Sequence, residues 1–349
     1  MSDLELSAPR AEPVSLPENL TSVQPGGGVC YSLELAWGRW RRCWLRNFRK
    51  GYVRRMAESR RGSTDGAPHE ILDPRDLKFC RNRVEADWDA ADDPFRWREK
   101  IPFARWGLAE LQIMGWPLLA ATVAAGLLPW PYWPTALLPG VLFLFVVSFF
   151  RDPSRLIPQQ PGQLVSPADG KISEITELEH DEFIGGPAVR IGVFLSIFNV
   201  HINRIPSRSR VIELRYKPGL FINALNPESA IKNEALWIGL EEEAPPHRKI
   251  IVRQIAGLYA RRIVCALRIG EVVERGHQLG MIKLGSRTEL IVPAADDLRI
   301  DVKLGQRVQA GSTVFAHYES ATEPPCPHGD ADRARCESDD ESRLEGATT

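Results

Sequence analysis

The chain has 349 residues, enough for one large or two modest domains. Its formal net charge of −1 supplies no global positive field, which argues against a general nucleic-acid binder. Six scattered cysteines form no CxxC pair and no metal-ligand spacing, so reduced thiols in a cytosol-facing protein are expected, with no metal.

The opening MSDLELSAPRAEP lacks a basic region followed by an apolar run, so a cleaved secretory signal is not expected. Residues 1–36 are rich in Pro, Ser and Gly and read as a disordered arm. Residues 37–100 read as a basic amphipathic extension. In WGRWRRCWLRNFRKGYVRRM, residues Trp40, Trp44, Phe48, Tyr52 and Met56 recur every fourth position and share one helix face. A Trp-rich face surrounded by Arg and Lys suits an anionic bilayer surface, and a helix docked on its own protein is the alternative.

Residues 101–151 read as a membrane helical hairpin. No charged residue lies between Glu110 and Arg151, and PWPYWP at 129–134 divides the run in two. Each half is about 16 residues, or ~24 Å, against a hydrocarbon core of ~30 Å. The halves therefore either span a thinned bilayer or enter it as a re-entrant loop. Arg105, Arg151 and Arg155 flank them and place both ends on the cytoplasmic side of the cell (inner) membrane. A buried hairpin in a soluble core is the alternative.

Residues 152–319 change character. Short β-rich runs (KISEI, AVRIGVFLSI, RVIELRY, KIIVRQI, RRIVCAL, TELIVP, RIDVKL) alternate with Gly and Pro turns. The fold class expected is α+β, with a mainly antiparallel, barrel- or sandwich-like β domain after the helical hairpin. GEVVERGHQLG and LGQRVQAGSTVFA share a Gly-x-x-Val-x-x-Gly rhythm found in the hairpins of lipoyl-carrier folds. Residues 320–349 read as a disordered acidic tail.

Three residues carry candidate chemistry: Asp169 in SPADG, His201 in FNVHINRIP and Ser286 in MIKLGSRTELIVP. A serine needs a base to become nucleophilic, and a histidine base needs an orienting carboxylate, roles that Ser286, His201 and Asp169 could fill. Glycine before the serine, Gly285, gives the backbone freedom for a crowded attack geometry. Taken singly, SPADG and Gly-Ser read as turns and His201 as a structural histidine. Lys283 and Arg287 flank the Gly-Ser pair and could meet an anionic substrate or be solvated strand charges.

From about Ile101 to His317 the chain resembles the short-chain phosphatidylserine decarboxylase proenzyme family. The resemblance is carried by IPFARWG, FFRDPSRLIP, LVSPADGKI, FNVHINRIP, YKPGLFINALNPESAIKNE and RRIVCALRIGEVVERGHQLGMIKLGSR, in that order. It implies self-cleavage at Gly285-Ser286, with Ser286, His201 and Asp169 as the catalytic residues. Ser286 would become a covalent pyruvoyl group, the cofactor. That carbonyl would take the amine of phosphatidylserine as a Schiff base, act as electron sink for loss of CO2, and release phosphatidylethanolamine. The implied partners are phosphatidylserine in the bilayer, the membrane itself, and the two cleavage chains of the same protein, paired alone or within a higher oligomer. Two other classes compete: a membrane-anchored lipoyl-like carrier or adaptor, and an uncleaved relative that binds lipid without chemistry. A carrier needs a hairpin-tip lysine, and neither rhythmic stretch contains one.

Overall fold

A computed structural model describes residues 10–17, 29–223, 226, 228–257, 262–283 and 286–319; Gly285 and the tail at 320–349 lie outside the described residues. The fold is α+β, and among the described residues every pairing between named strands is antiparallel. Its body is an open, curled sheet of eight strands. Their order across the sheet is β13 (Arg307–Val308), β2 (Gly170–Asp181), β3 (Gly186–Leu195), β11 (Ser286–Pro293), β7 (Lys249–Ala256), β6 (Ala235–Glu242), β5 (Ser209–Lys217) and β9 (Val272–Val273). A three-stranded sheet of β4 (Ile202–Arg204), β10 (Gln278–Ile282) and β8 (Ile263–Cys265) adjoins it. A second such sheet joins β1 (Gln163–Val165), β14 (Val314–Tyr318) and β12 (Leu298–Ile300).

Strand β11 is central, and Ser286 through Val292 are all buried. Side chains alternate across a strand, so both faces of the sheet here are covered. On one face Leu290 and Val292 join the main core with Leu195, Leu236, Ile238, Val252 and Phe315. On the other, Ile291 packs with Ala188, Ile251, Phe183 and Trp237. The two rhythmic stretches supply the edge strands β9 and β13, on opposite sides of the sheet. Each ends on a glycine with positive φ, Gly276 at 77° and Gly311 at 76°, a conformation that other residues adopt only at a cost. A Cβ on Gly311 would lie 3.7 Å from Gly276 Cα, so the curl brings the two turns together.

Upstream, α1 (Val29–Phe48) and α2 (Lys50–Ser59) are separated at Arg49, so the single basic helix expected from periodicity is two. α1 begins inside the stretch read as a disordered arm. Arg10–Pro17 are also placed: Val14 N–H donates to Ile212 O at 2.9 Å, and Leu16 packs on the main core. The extension docks on the β domain. Asn82 Nδ2 donates to Leu267 O at 2.5 Å, and Arg268 pairs with Asp87 at 3.1 Å.

The apolar run forms α3 (Leu108–Gly126), a 3-10 turn at Trp130–Ala136 and α4 (Leu137–Phe149). The run is thus two helices, with a non-helical break at residues 127–129 before the 3-10 turn. Pro131 sits in the first turn, where its missing N–H has no partner to lose, and the turn runs straight into α4. The helical stretches Arg105–Gly126 and Trp130–Phe149, of 22 and 20 residues, are long and apolar enough to cross a membrane, and exceed the halves expected from the sequence. Only the root of this hairpin packs on the protein: Trp106, Val146, Phe149 and Phe150 bury against Val200, Ile202, Val264 and Met281.

Candidate active site

The β pairing places Ser286 and Asp169 at one end of the sheet, and His201 in the loop that enters the adjoining three-stranded sheet. Ser286 opens β11 and pairs with Leu195 on β3 and Ala256 on β7. Gly170 opens β2 beside the end of β3, which puts Asp169 about two strand spacings, ~10 Å, from Ser286. A Cβ on Gly170 would sit 2.2 Å from Phe194 O, so the glycine of SPADG is required by strand contact rather than by a turn. His201 precedes β4, and its carbonyl accepts from Ile282 N–H at 3.3 Å, four residues before Ser286.

Asn203, two residues beyond His201, joins these elements. Its Nδ2 donates to Pro167 O at 3.2 Å and to Thr288 Oγ1 at 3.1 Å. Its Oδ1 accepts from Gln254 Nε2 at 2.8 Å. Asn203, Gln254 and Thr288 are all fully buried. The cost of burying them is offset by these mutual bonds. The sequence offered one signal for Asn203, a polar residue at a strand position within the histidine segment.

Ser286 is fully buried, and its Oγ finds no hydrogen-bond partner among the described residues. A buried hydroxyl left unpaired costs on the order of 1–3 kcal/mol, a cost the fold bears at the head of its central strand. His201 is also fully buried, with its ring 4.4 Å from that of Phe149 at the hairpin root. Burial pushes its imidazole down to about 4, against the raising effect of the Asn199 carbonyl. Nδ1 lies 2.9 Å from Asn199 O. A carbonyl only accepts, so Nδ1 carries the proton and Nε2 the lone pair, the form a base requires.

Asp169 does not supply that orientation. Its carboxylate is held by Arg155 at 2.9 Å to each oxygen and by Ala310 N–H at 2.8 Å. Ala310 lies in the second rhythmic stretch, so this turn is built into the site. The flanking cations are internal as well. Arg287 is buried and pairs with Glu289 at 2.9 Å and with Glu174. Lys283 is buried between Glu34 of α1, at 3.3 Å, and Glu110 of α3. Neither is a solvated strand charge or an open anion site. Glu34 also pairs with Lys78 and Arg262, each at 3.1 Å. Nothing in the sequence separations, which reach 249 residues, announces this cluster.

Similarity to known proteins agrees with the geometry. The sequence model of the phosphatidylserine decarboxylase family matches residues 142–316. A phosphatidylserine decarboxylase proenzyme of Rhodopirellula baltica is 51% identical over 244 residues, covering 70% of this chain and 99% of that protein. Proenzymes of the same name are 42% identical in Symbiobacterium thermophilum, over 58% of this chain and 92% of that protein, and 41% in Carboxydothermus hydrogenoformans, over 52% and 84%. With Ser286 and Asp169 at one sheet end and the match running through all three motifs, the chain belongs to the phosphatidylserine decarboxylase family.

Proposed function

We propose that this chain decarboxylates phosphatidylserine to phosphatidylethanolamine after cutting itself between Gly285 and Ser286. The observation that carries the reading is the unpaired, fully buried Ser286 Oγ at the head of a central strand. A hydroxyl so placed is unsolvated and ready to attack the preceding carbonyl carbon. His201, neutral and with Nε2 as its basic atom, takes the hydroxyl proton and later returns it to the departing nitrogen. Asp169 acts as an anchor in this arrangement, fixing Arg155 and the Ala310 turn at the site's edge. The residues present fit a pyruvoyl group, because the orphaned atom belongs to the residue that would become it and the surrounding strands leave the position dry. Such a group supplies a carbonyl that accepts the electron pair released as CO2 leaves.

Membrane association supports the same reading. Leu127, Trp130, Leu137, Leu138 and Leu144 on the hairpin are strongly exposed, which water disfavours and lipid does not. The hairpin root touches His201, so an inserted hairpin would hold the site near the head-group layer with the β domain on the cytoplasmic side. Trp37, Trp40, Trp44 and Phe48 of α1 are exposed too, while Leu45 and Arg41 dock inward, so the helix serves docking and leaves an aromatic face for lipid. The lipoyl-like hairpins act here as turn scaffolds, for the second holds Asp169 through Ala310 and neither presents a lysine.

Intact mass under denaturing conditions tests the proposal. The expected result is two chains, one ending at Gly285 and one beginning with a blocked residue 286 and ending at Thr349. A purified protein that remains a single chain on prolonged incubation, in lipid as well as detergent, would falsify it.

A further inference from the structure

A second carboxyl group shares the sheet end with Ser286 and has no role in the cleavage chemistry. Ala256 N–H donates to Glu234 O at 2.9 Å, and Ala235 pairs with Ile255, so Glu234 stands opposite Ala256. Ala256 in turn stands opposite Ser286. Residues directly opposite each other on antiparallel strands project from the same face. Glu234, Ala256 and Ser286 therefore form one row across three strands, ~10 Å from end to end. The middle member, Ala256, is the smallest side chain that still has a Cβ, so only a methyl group stands between the outer two in the row. Glu234 is 6% exposed, and its Oε1 has no hydrogen-bond partner among the described residues. The partner of its side chain is the Tyr216 hydroxyl on β5, which donates to it.

We propose that Glu234 is the proton donor of decarboxylation, which delivers to the head-group carbon the proton that replaces the lost carboxylate. In that step the carbon–carboxylate bond breaks and CO2 leaves without its bonding pair. The pair then returns to the carbon and takes the Glu234 proton, and the glutamate regains a proton from water. Burial supports the assignment, since it pushes Glu234 up to about 7, with the Tyr216 hydrogen bond opposing the shift. Among the described residues, no cation pairs with Glu234. On α5 (Ser229–Lys232) and the adjoining loop, Lys232 pairs with Glu228 at 2.9 Å, both exposed. Lys217 is exposed and donates to Ile231 O, and β7 presents the neutral Gln254 on this face.

The inference rests on the self-cleavage reading, and one set of measurements separates the two. Glu234→Gln, made in the full-length protein, should still yield both cleavage chains by intact mass. Its release of CO2 from phosphatidylserine vesicles should fall on the order of 100-fold or more. In the cleaved parent without substrate, infrared spectroscopy should show a protonated-carboxyl band that disappears around pH 7, and Glu234→Gln should lack it. A cleaved Glu234→Gln that decarboxylates at the parental rate, or a parent lacking that band, overturns the inference alone. A parent that stays one chain overturns the cleavage reading and this inference with it. Should Glu234→Gln not fold, Tyr216→Phe decides: loss of its hydrogen bond should move the alkaline limb of the decarboxylation profile upward, and an unmoved limb overturns the assignment.

Discussion

Glu34 and Glu234 are both buried carboxyl groups close to the Gly285-Ser286 segment, one packed against Lys283 before it and one in the row of Ser286 after it. Burial works against the charged form of each, and is the largest influence on both. At Glu34 it is overcome by Lys78, Lys283 and Arg262, which hold the carboxyl down to about 2. At Glu234 only a neutral hydroxyl answers, and the group rises to about 7. The contrast shows that depth alone does not decide ionisation; the count of cations within reach does. One side of the segment is thus an ionic clamp joining α1, α3 and the β domain. The other is a buried row whose carboxyl has only a neutral hydroxyl for company.

The largest effect should come from the neutral side. Ser286→Ala removes the hydroxyl itself, so intact mass should show one chain under every condition, with no decarboxylation. Any cleavage at 285/286 in this variant would remove Ser286 as the nucleophile. On the ionic side, Glu34→Ala leaves two lysines and an arginine with Glu110 alone. Breaking a buried pair in this way typically costs about 3–5 kcal/mol. Denaturant unfolding should show a loss of that order, and a loss under ~1 kcal/mol would mean that water already screens the cluster.

Acid should separate the two sides. His201 keeps its basic form down to about 4, so the self-cleavage rate should stay level from neutral pH to pH ~5 and then fall. A fall centred near the ordinary histidine value would show that the imidazole is solvated. The two glutamates should affect stability with opposite sign. Glu34, depressed in the fold, contributes above the unfolded value of 4.5, and the contribution is lost as pH falls towards about 2. Glu234, raised in the fold, is favourable below 4.5, and that advantage is lost as pH rises through about 7. Glu234→Gln should therefore gain on its parent in thermal melts as pH rises from 4.5 to about 7 and hold that gain above it, while Glu34→Gln should not gain. The smallest effect is expected from salt. Surface attraction by the basic helices is screened over about 8 Å at physiological ionic strength, whereas an inserted hairpin is not. Full-length protein should stay with membranes in high salt, and release into the wash would show that the hairpin is not inserted.

Much of this was legible because it is local. Strand runs such as AVRIGVFLSI and TELIVP match β3 and β11, and the uncharged run matches the helical hairpin. β6 escaped because ALWIGLEE is buried on both faces and so lacks the alternation that marks a half-buried strand. Asp169, His201 and Ser286 were visible through their motifs; Asp169 and Ser286 lie at one end of the main sheet, and the His201 carbonyl bonds Ile282, four residues before Ser286. The hydrogen bonds of Asp169 to Arg155 and Ala310 depend on how the loops close. Glu234 and Glu34 were invisible for a related reason. In IKNEA and SLELA each looks like a solvated helix charge, and only the register of β6 on β7, or the docking of α1 on Lys283, shows otherwise.

The central position of β11 has one further consequence. A cut before Ser286 would leave the new chain's first strand bonded along both edges, to β3 and to β7, and its last strand, β14, bonded to β1. The two products would be interleaved rather than merely touching, so neither could depart without dismantling the sheet. Assembly would then be a one-way event. The precursor must fold before it is severed, and the severed pair, once unfolded, would have to find each other again with the covalent guide gone. The matured protein should therefore persist by slow opening rather than by reversible equilibrium.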